Sequence, residues 1–309
     1  MGGKLGLGHI GYGYGNDGQV TAEEAFQSIE RVRKNLLKTD KKKVFKVGDV
    51  KNGKKKFETC LITSFVGKEY CFDNYLKGIS HLPTKDMCAV IYDNSNSKRF
   101  GKKLIREMGK HFKRYVYVVD ENAHYTVENT KEYFLIAERA FNIYNTICNH
   151  FLISAKYTMI IEDDVEVKKG TYEKFIKLMD LYPNIGTVVG NQHDRHPAEN
   201  NIGDGHPHPV VWHMMEERDV VSGEMGVKMK MYDRSKKFGL EAVASAHTGC
   251  WFTRTPLLKS VKLVFNYRDL GGWDQVWGYR LNKMGRSLVV DWSSPVKHYY
   301  KLNGKKGYL

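Results

Sequence analysis

From Phe57 onward the chain alternates short unbroken apolar runs with longer amphipathic stretches, a rhythm that few folds accept. "FETCLITSF" is followed by "YCFDNYLKGISHL", "DMCAVIYDNS" by "KRFGKKLIREMGKHF", and "RYVYVVDE" by "TKEYFLIAERAFNIYNTICNHFLISA". "YTMIIEDD" then leads to "TYEKFIKLMDLY" and "IGTVVGNQ". Continuous apolar runs of this length read as strands buried on both faces; apolar residues three and four apart read as helices packed on them. Strands that alternate with helices require βαβ crossovers. An α/β fold with a mostly parallel sheet follows, its functional loops at the carboxyl ends of the strands.

Outside that rhythm the sequence is less regular. Residues 1–18 are Gly-rich, and "TAEEAFQSIERVRKNLLK" reads as one helix capped by Thr21. "TDKKKVFKVGDVKNGKKK" reads as an exposed basic hairpin or linker turning at Asn52-Gly53. Residues 1–56 are therefore expected to be a basic extension, and residues 301–309 a basic tail. A polar, His-rich stretch runs from 191 to 238, after which apolar order returns at "LEAVASAHTGCWFTRTPLL", "WDQVWGYRLNKMG", "SLVVDW" and "PVKHYY".

The net charge is +14, and between Arg31 and Lys56 twelve Lys and Arg stand against two Asp. Such a surface attracts polyanions, or is simply a solvated basic face. No apolar run reaches the length of a membrane span, and the Gly-rich start does not resemble a secretory signal. The five cysteines are widely spaced, mostly in apolar surroundings and without a CxxC, as expected of reduced, buried thiols in a cytoplasmic protein. Two motifs fail on context. Gly6 to Gly11 spells GxGxxG but has no strand before it, and Gly48 to Lys54 spells GxxxxGK with Lys55 where a magnesium-binding hydroxyl is needed.

The stretch "IIEDDVEV" is the chemical anomaly: three carboxylates close a buried strand in a basic chain. Alternation along a strand sends Glu162 and Asp164 to one face and Asp163 to the other. Three acids so placed repel one another unless cations or donors answer them, and a hard divalent ion with oxygen ligands is a natural answer. The same acids could instead favour the N-terminus of the helix at "TYEKF", although Thr171 would cap that helix without them.

With those residues in view, positions 57 to 300 resemble a GT-A glycosyltransferase, similar to the family 2 glycosyltransferases and relatives with a Glu-Asp-Asp form of the DXD motif. The resemblance implies a Rossmann-like, mostly parallel central sheet flanked by helices, with 57–190 as the nucleotide-binding half and 191–300 as the acceptor half. "ETCLITSF" is similar to the opening strand, which implies that Thr63, Ser64 and Phe65 meet the nucleotide. Asp93 in "VIYDNSNS" matches the acid that holds the base, and Arg139 in "ERAFN" an arginine near the nucleotide. Asp164 would bind the metal directly. Glu162 would join it or act through water, and Asp163 would contact the ribose. "HTGCWFTR" resembles the segment lining the sugar, with Gly249 and Trp251, although core packing is an equal alternative for Trp251 and for Trp273. "GGWDQVWGYRLNKMG" places Gly272 and Trp273 near the acceptor and Asp274 as catalytic base. "PVKHYY" offers His298 to the metal.

These matches imply transfer of a sugar from a nucleotide-diphosphate donor to an acceptor hydroxyl, with inversion, using Mn2+ or Mg2+. Asp274 could instead be a helix-capping acid. The acceptor is a saccharide, lipid-linked or protein hydroxyl, or, given the charge, a hydroxylated base in DNA. A reading from another class uses His193, His196, His206, His208 and His213 with Asp194 and Asp204 as a zinc module or metal-dependent hydrolase, although no HExxH spacing occurs.

Overall fold

The computed structural model describes residues 42–51, 57–122, 133–192, 211–218, 225–231, 238–260, 273–302 and 305–308. The described strands are β1 (Lys42–Val47), β2 (Phe57–Phe65), β3 (Cys88–Asp93), β4 (Tyr115–Asp120), β5 (Ala155–Ile161), β6 (Val165–Glu166) and β7 (Ile185–Asn191). They continue as β8 (Val211–Arg218), β9 (Met225–Met231), β10 (Leu240–Val243), β11 (Ser245–Ala246), β12 (Cys250–Arg254), β13 (Ser287–Pro295), β14 (Lys297–Leu302) and β15 (Lys305–Tyr308). The described α-helices are α1 (Phe72–Ile79), α2 (Lys98–His111), α3 (Tyr133–Thr146), α4 (Thr171–Leu181), α5 (Thr255–Ser260) and α6 (Trp273–Lys283).

Nine strands form one central sheet in the order β1-β4-β3-β2-β5-β12-β7-β13-β10. Six of them, β4, β3, β2, β5, β7 and β13, share a direction, while β1, β12 and β10 run against it. The fold is thus α/β with a mostly parallel sheet. Alternation along the strands builds two cores, one on each face. Cys60, Ile62, Val90, Tyr92 and Val118 meet Phe141, Trp251 and Trp277 on one side. Leu61, Ile91, Tyr117, Met159 and Ile161 meet Phe72, Phe100, Leu104 and Phe175 on the other. Burial on both faces is why these strands read as unbroken apolar runs.

Three local expectations are corrected. The basic segment before Phe57 is not a separate hairpin in its described part. Lys42–Val47 pairs antiparallel with Tyr115–Asp120 and becomes the sheet's edge. The helix expected to run to "FLISA" ends earlier. α3 gives way to a π-helical turn at Ile147–Phe151, and Ala155 already pairs with Phe57. The N-cap of α4 is Gly170, at φ 86°, rather than Thr171, because the chain enters that helix through a left-handed turn that suits glycine.

The topology also fixes where a ligand can bind. From β2 the chain moves to β3 and β4 on one side, then returns to place β5 on β2's other side. The strand order reverses between β2 and β5, and in open α/β sheets the crevice at the carboxyl ends of such a pair is the binding position. Phe65 ends β2 and Ile161 ends β5, so Val66–Lys68 and Glu162–Asp164 flank that crevice.

Candidate active site

The three acids do not alternate as strand residues. β5 stops at Ile161 and Glu162–Asp164 form a turn, closed by the Val165 N–H donating to the Glu162 carbonyl at 3.1 Å. Asp163 and Asp164 consequently share one partner. Lys68 Nζ is 2.6 Å from Asp164 Oδ2 and 3.3 Å from Asp163 Oδ1, with all three side chains buried. Asp163 Oδ2 also accepts the Val66 N–H at 2.9 Å, which ties the end of β2 to the acids across the switch point. Glu162 is turned away from this pair. Thr248 Oγ donates to its Oε1 at 2.5 Å, and His247 Nδ1 lies 3.9 Å from its Oε2.

Electrostatics follow from this packing. Burial holds Asp163 above the ordinary carboxylate range, with the Asp164 charge adding to it, although Lys68, the Val66 N–H and Arg139 pull the other way. Burial would also raise Glu162, but His247, Lys68 and the Thr248 hydroxyl together hold it below the usual value. Three carboxylates against the charges of Lys68 and Arg139 leave the cluster formally negative, so a further cation is electrostatically welcome.

His298 arrives through β14. That strand pairs with β6 so that His298 stands opposite Val165 and Lys297 opposite Glu166, and the Tyr299 N–H donates to the Asp164 carbonyl at 2.8 Å. His298 Nε2 then lies 3.3 Å from Asp164 Oδ2. Two donors to one small octahedral cation stand about 3 Å apart, so this pair fits a shared site. A complete protein cage is not formed: among the described residues no three His, Cys, Asp or Glu side chains are grouped to hold a metal. Glu162, expected as a ligand, accepts the Thr248 hydroxyl on Oε1. Asp164, completed by phosphate oxygens and water, matches the single-carboxylate way in which Mg2+ is commonly bound, and His298 adds a nitrogen donor that is not usual for that ion.

Behind the two histidines stands a residue the sequence did not flag. The amide nitrogen of Gln192 is 3.0 Å from His247 Nδ1 and 3.1 Å from His298 Nδ1, so one side chain orients both rings. Gly249 makes room for it: a Cβ there would stand 1.6 Å from Gln192 Oε1. Gly249 is therefore a packing requirement of the Gln192 brace.

The remaining expected residues divide. Asp93 is buried, and both its oxygens are used internally. Oδ2 accepts the Tyr117 hydroxyl at 2.5 Å, and Oδ1 accepts the Ser95 N–H at 3.0 Å and its hydroxyl at 2.6 Å. It braces the loop after β3. Thr63 and Phe65, expected to meet the nucleotide, have their side chains in the core. Thr63 is fully buried, and the Phe65 ring packs against Phe72, Tyr75 and Phe100 at 5.6, 5.1 and 5.9 Å between centroids. Ser64, 5% exposed, is buried beside them. Trp251, for which the sequence leaves sugar wall and core packing as equal alternatives, lies in the core. It is fully buried, donates its Nε1–H to the His247 carbonyl at 2.8 Å and stands 6.4 Å from the Trp277 ring. Arg139 is half-buried, within electrostatic reach of Asp163.

Asp274 is buried in the first turn of α6, and its carbonyl accepts the Ser245 hydroxyl at 3.0 Å. Ser245 is three residues before Thr248, which holds Glu162, and three residues reach at most about 10 Å. The start of α6 is thereby linked to the acid cluster. Gly272 lies outside the described residues, and Trp273 opens α6. Of the histidine cluster, His193, His196, His206 and His208, with Asp194 and Asp204, lie outside the described residues, and His213 is on β8. The five cysteines are thiols, four buried and Cys148 partly so. No helix among the described residues is long and apolar enough to cross a membrane.

No family model and no curated protein matches the sequence. Among solved structures, the chain is similar to the mannosyltransferase PcManGT from Pyrobaculum calidifontis in complex with GDP-Man and Mn2+. Identity is 14%, covering 86% of this chain and 64% of that one, with a TM-score of 0.46. It is similar to S. aureus TarS 1–349 in complex with UDP-GlcNAc at 12% identity, covering 81% of this chain and 60% of that one, with a TM-score of 0.47. For A197 from STIV the identity is 11%, the coverage 81% and 88%, and the TM-score 0.41. The chain thus spans less than two thirds of PcManGT and of TarS 1–349. Likeness at this level carries no functional argument, which rests on the chain's own residues.

Proposed function

We propose that this chain is a metal-dependent glycosyltransferase of the GT-A type, moving a sugar from a nucleoside-diphosphate donor to an acceptor hydroxyl with inversion. The observation that carries the reading is the meeting of Asp164 and His298 at 3.3 Å, at the crevice where the strand order reverses. Residues 57–300 would form the transferase domain, with 1–56 and 301–309 as basic extension and tail.

Asp163 and Arg139 would position the ribose and phosphates. Asp93 acts one layer back, holding the loop after β3 in shape for the base. Mg2+ or Mn2+ bound by Asp164 and His298 would supply Lewis-acid stabilisation of the departing diphosphate. Asp274 would take the proton of the acceptor hydroxyl as its oxygen bonds to the anomeric carbon, while the carbon–oxygen bond to the diphosphate breaks and its electron pair leaves with the phosphate. The single displacement gives inversion. A polyanionic acceptor such as DNA is a second reading, favoured by the net charge of +14.

A panel of sugar nucleotides incubated with Mn2+ tests the reading. Slow donor hydrolysis is expected from the wild type; Asp164→Ala should abolish it by loss of the metal, and Asp274→Asn should lower transfer by at least about a hundredfold, the usual scale of general-base loss, both with unchanged circular dichroism. Full turnover by Asp274→Asn removes that residue as base, and no hydrolysis of any donor removes the whole reading.

A further inference from the structure

Lys68 has no place in the scheme above, yet it holds its central carboxylate. Its Nζ is 2.6 Å from Asp164 Oδ2, closer than His298 Nε2 at 3.3 Å from the same oxygen, and it reaches Asp163 Oδ1 at 3.3 Å. The side chain is 7% exposed. The Lys68 backbone is fixed as well, because its carbonyl accepts both the N–H and the thiol of Cys71 at the turn leading into α1. A buried ammonium therefore occupies the oxygen through which Asp164 and His298 would share a metal.

We propose that Lys68 is a tethered competitor of the divalent ion, and that it makes metal and donor bind together rather than the metal alone. The inference rests on the metal reading given above. Breaking a buried ion pair is strongly unfavourable when nothing replaces it. A divalent ion entering by itself must push the ammonium off Asp164 toward Asp163, its longer contact, against the arriving charge, where a new anionic partner would be needed to make up the loss. A diphosphate entering with the ion supplies that partner. The lysine stem is flexible and its ammonium has three rotatable donors, so Nζ can turn from Asp164 to a phosphoryl oxygen within the same crevice. Displacement is then offset by a new charge-assisted bond. By linkage, the donor must strengthen metal binding by the same factor as metal strengthens donor binding. Without donor, Lys68 keeps the two aspartates together and the site largely metal-free.

Binding of Mn2+ alone, followed by the loss of its free-ion electron paramagnetic resonance signal, tests this on the full chain. Lys68→Met should bind Mn2+ at least about tenfold more tightly than the wild type, since a buried rather than an exposed ion pair no longer opposes it. Lys68→Arg, which keeps a charge, should stay near the wild type. Melting temperatures give a second readout if the Met variant folds poorly. Lys68→Gln should melt below the wild type without metal, and Mn2+ should raise its melting temperature more than it raises that of the wild type. Measurable Mn2+ binding that is equal or weaker in the Met variant, or an equal Mn2+ response of the melts, overturns the role of Lys68 alone. No Mn2+ binding at millimolar concentration by either protein overturns the metal reading, and this inference with it.

Discussion

Gly249 shows how a residue without a side chain can control chemistry. A methyl group there would meet the far end of Gln192, a flexible side chain that can move, rather than a fixed backbone. Gly249→Ala should therefore fold, but with Gln192 displaced from His247 and His298. Partners that orient metal-binding histidines are typically worth about 10–100-fold in metal affinity. A loss of that size in Mn2+ binding with a nearly unchanged melting temperature is expected, and an unchanged affinity would show the brace to be idle. At this scale the sequence was only half informative. The acids of "IIEDD" stood out because charge at the end of an apolar run is anomalous. Lys68 and Gln192 did not, because a lysine in a basic chain and a glutamine at the rim of a polar stretch become informative only through partners far away in sequence. The depth of Phe65 and Trp251 was not legible for a related reason: an aromatic beside a site and an aromatic under it have the same neighbours along the chain.

Among the elements, α6 depends on close approach. A Cβ at Gly278 would stand 2.1 Å from the Ala244 carbonyl oxygen, while Trp277 is fully buried and donates to Thr187 Oγ at 3.2 Å. Gly278→Ala must lift the helix from the backbone beneath it, a strain of about 1–3 kcal/mol, and should lower both the melting temperature and kcat, since Asp274 lies in the first turn of this helix. Loss of stability with full kcat would show that Asp274 does not depend on the docking. The strands and helices between Phe57 and Ile161 were legible because their burial on both faces, or on one stripe, is written in periodicity. The direction of β12 was not. An apolar run buried between β5 and β7 has the same composition whether it runs with its neighbours or against them. The edge strand β1 was missed because an edge exposed to water can be built from lysines.

For the molecule as a whole, the excess of positive charge sets what will gather on its surface. A chain of net charge +14 is expected to bind DNA at low salt, and six or more phosphate contacts would lose about 10³–10⁵ in affinity between 50 and 200 mM salt. If glycosyl transfer follows that same slope, the acceptor is a polyanion. Turnover indifferent to salt assigns a saccharide or protein acceptor and leaves the charge as a solvated face.

The ladder between β6 and β14 has two rungs, Lys297 to Glu166 and His298 to Val165. Side-chain facing inverts with every one-residue slip of such a pairing. An insertion or deletion at the approach to β14 would thus present lysine or tyrosine to Asp164 where imidazole now stands, with the nine-stranded sheet undisturbed. Whether this protein can host a cation is in that sense a question of reading frame between two strands, settled after the rest of the architecture is already in place.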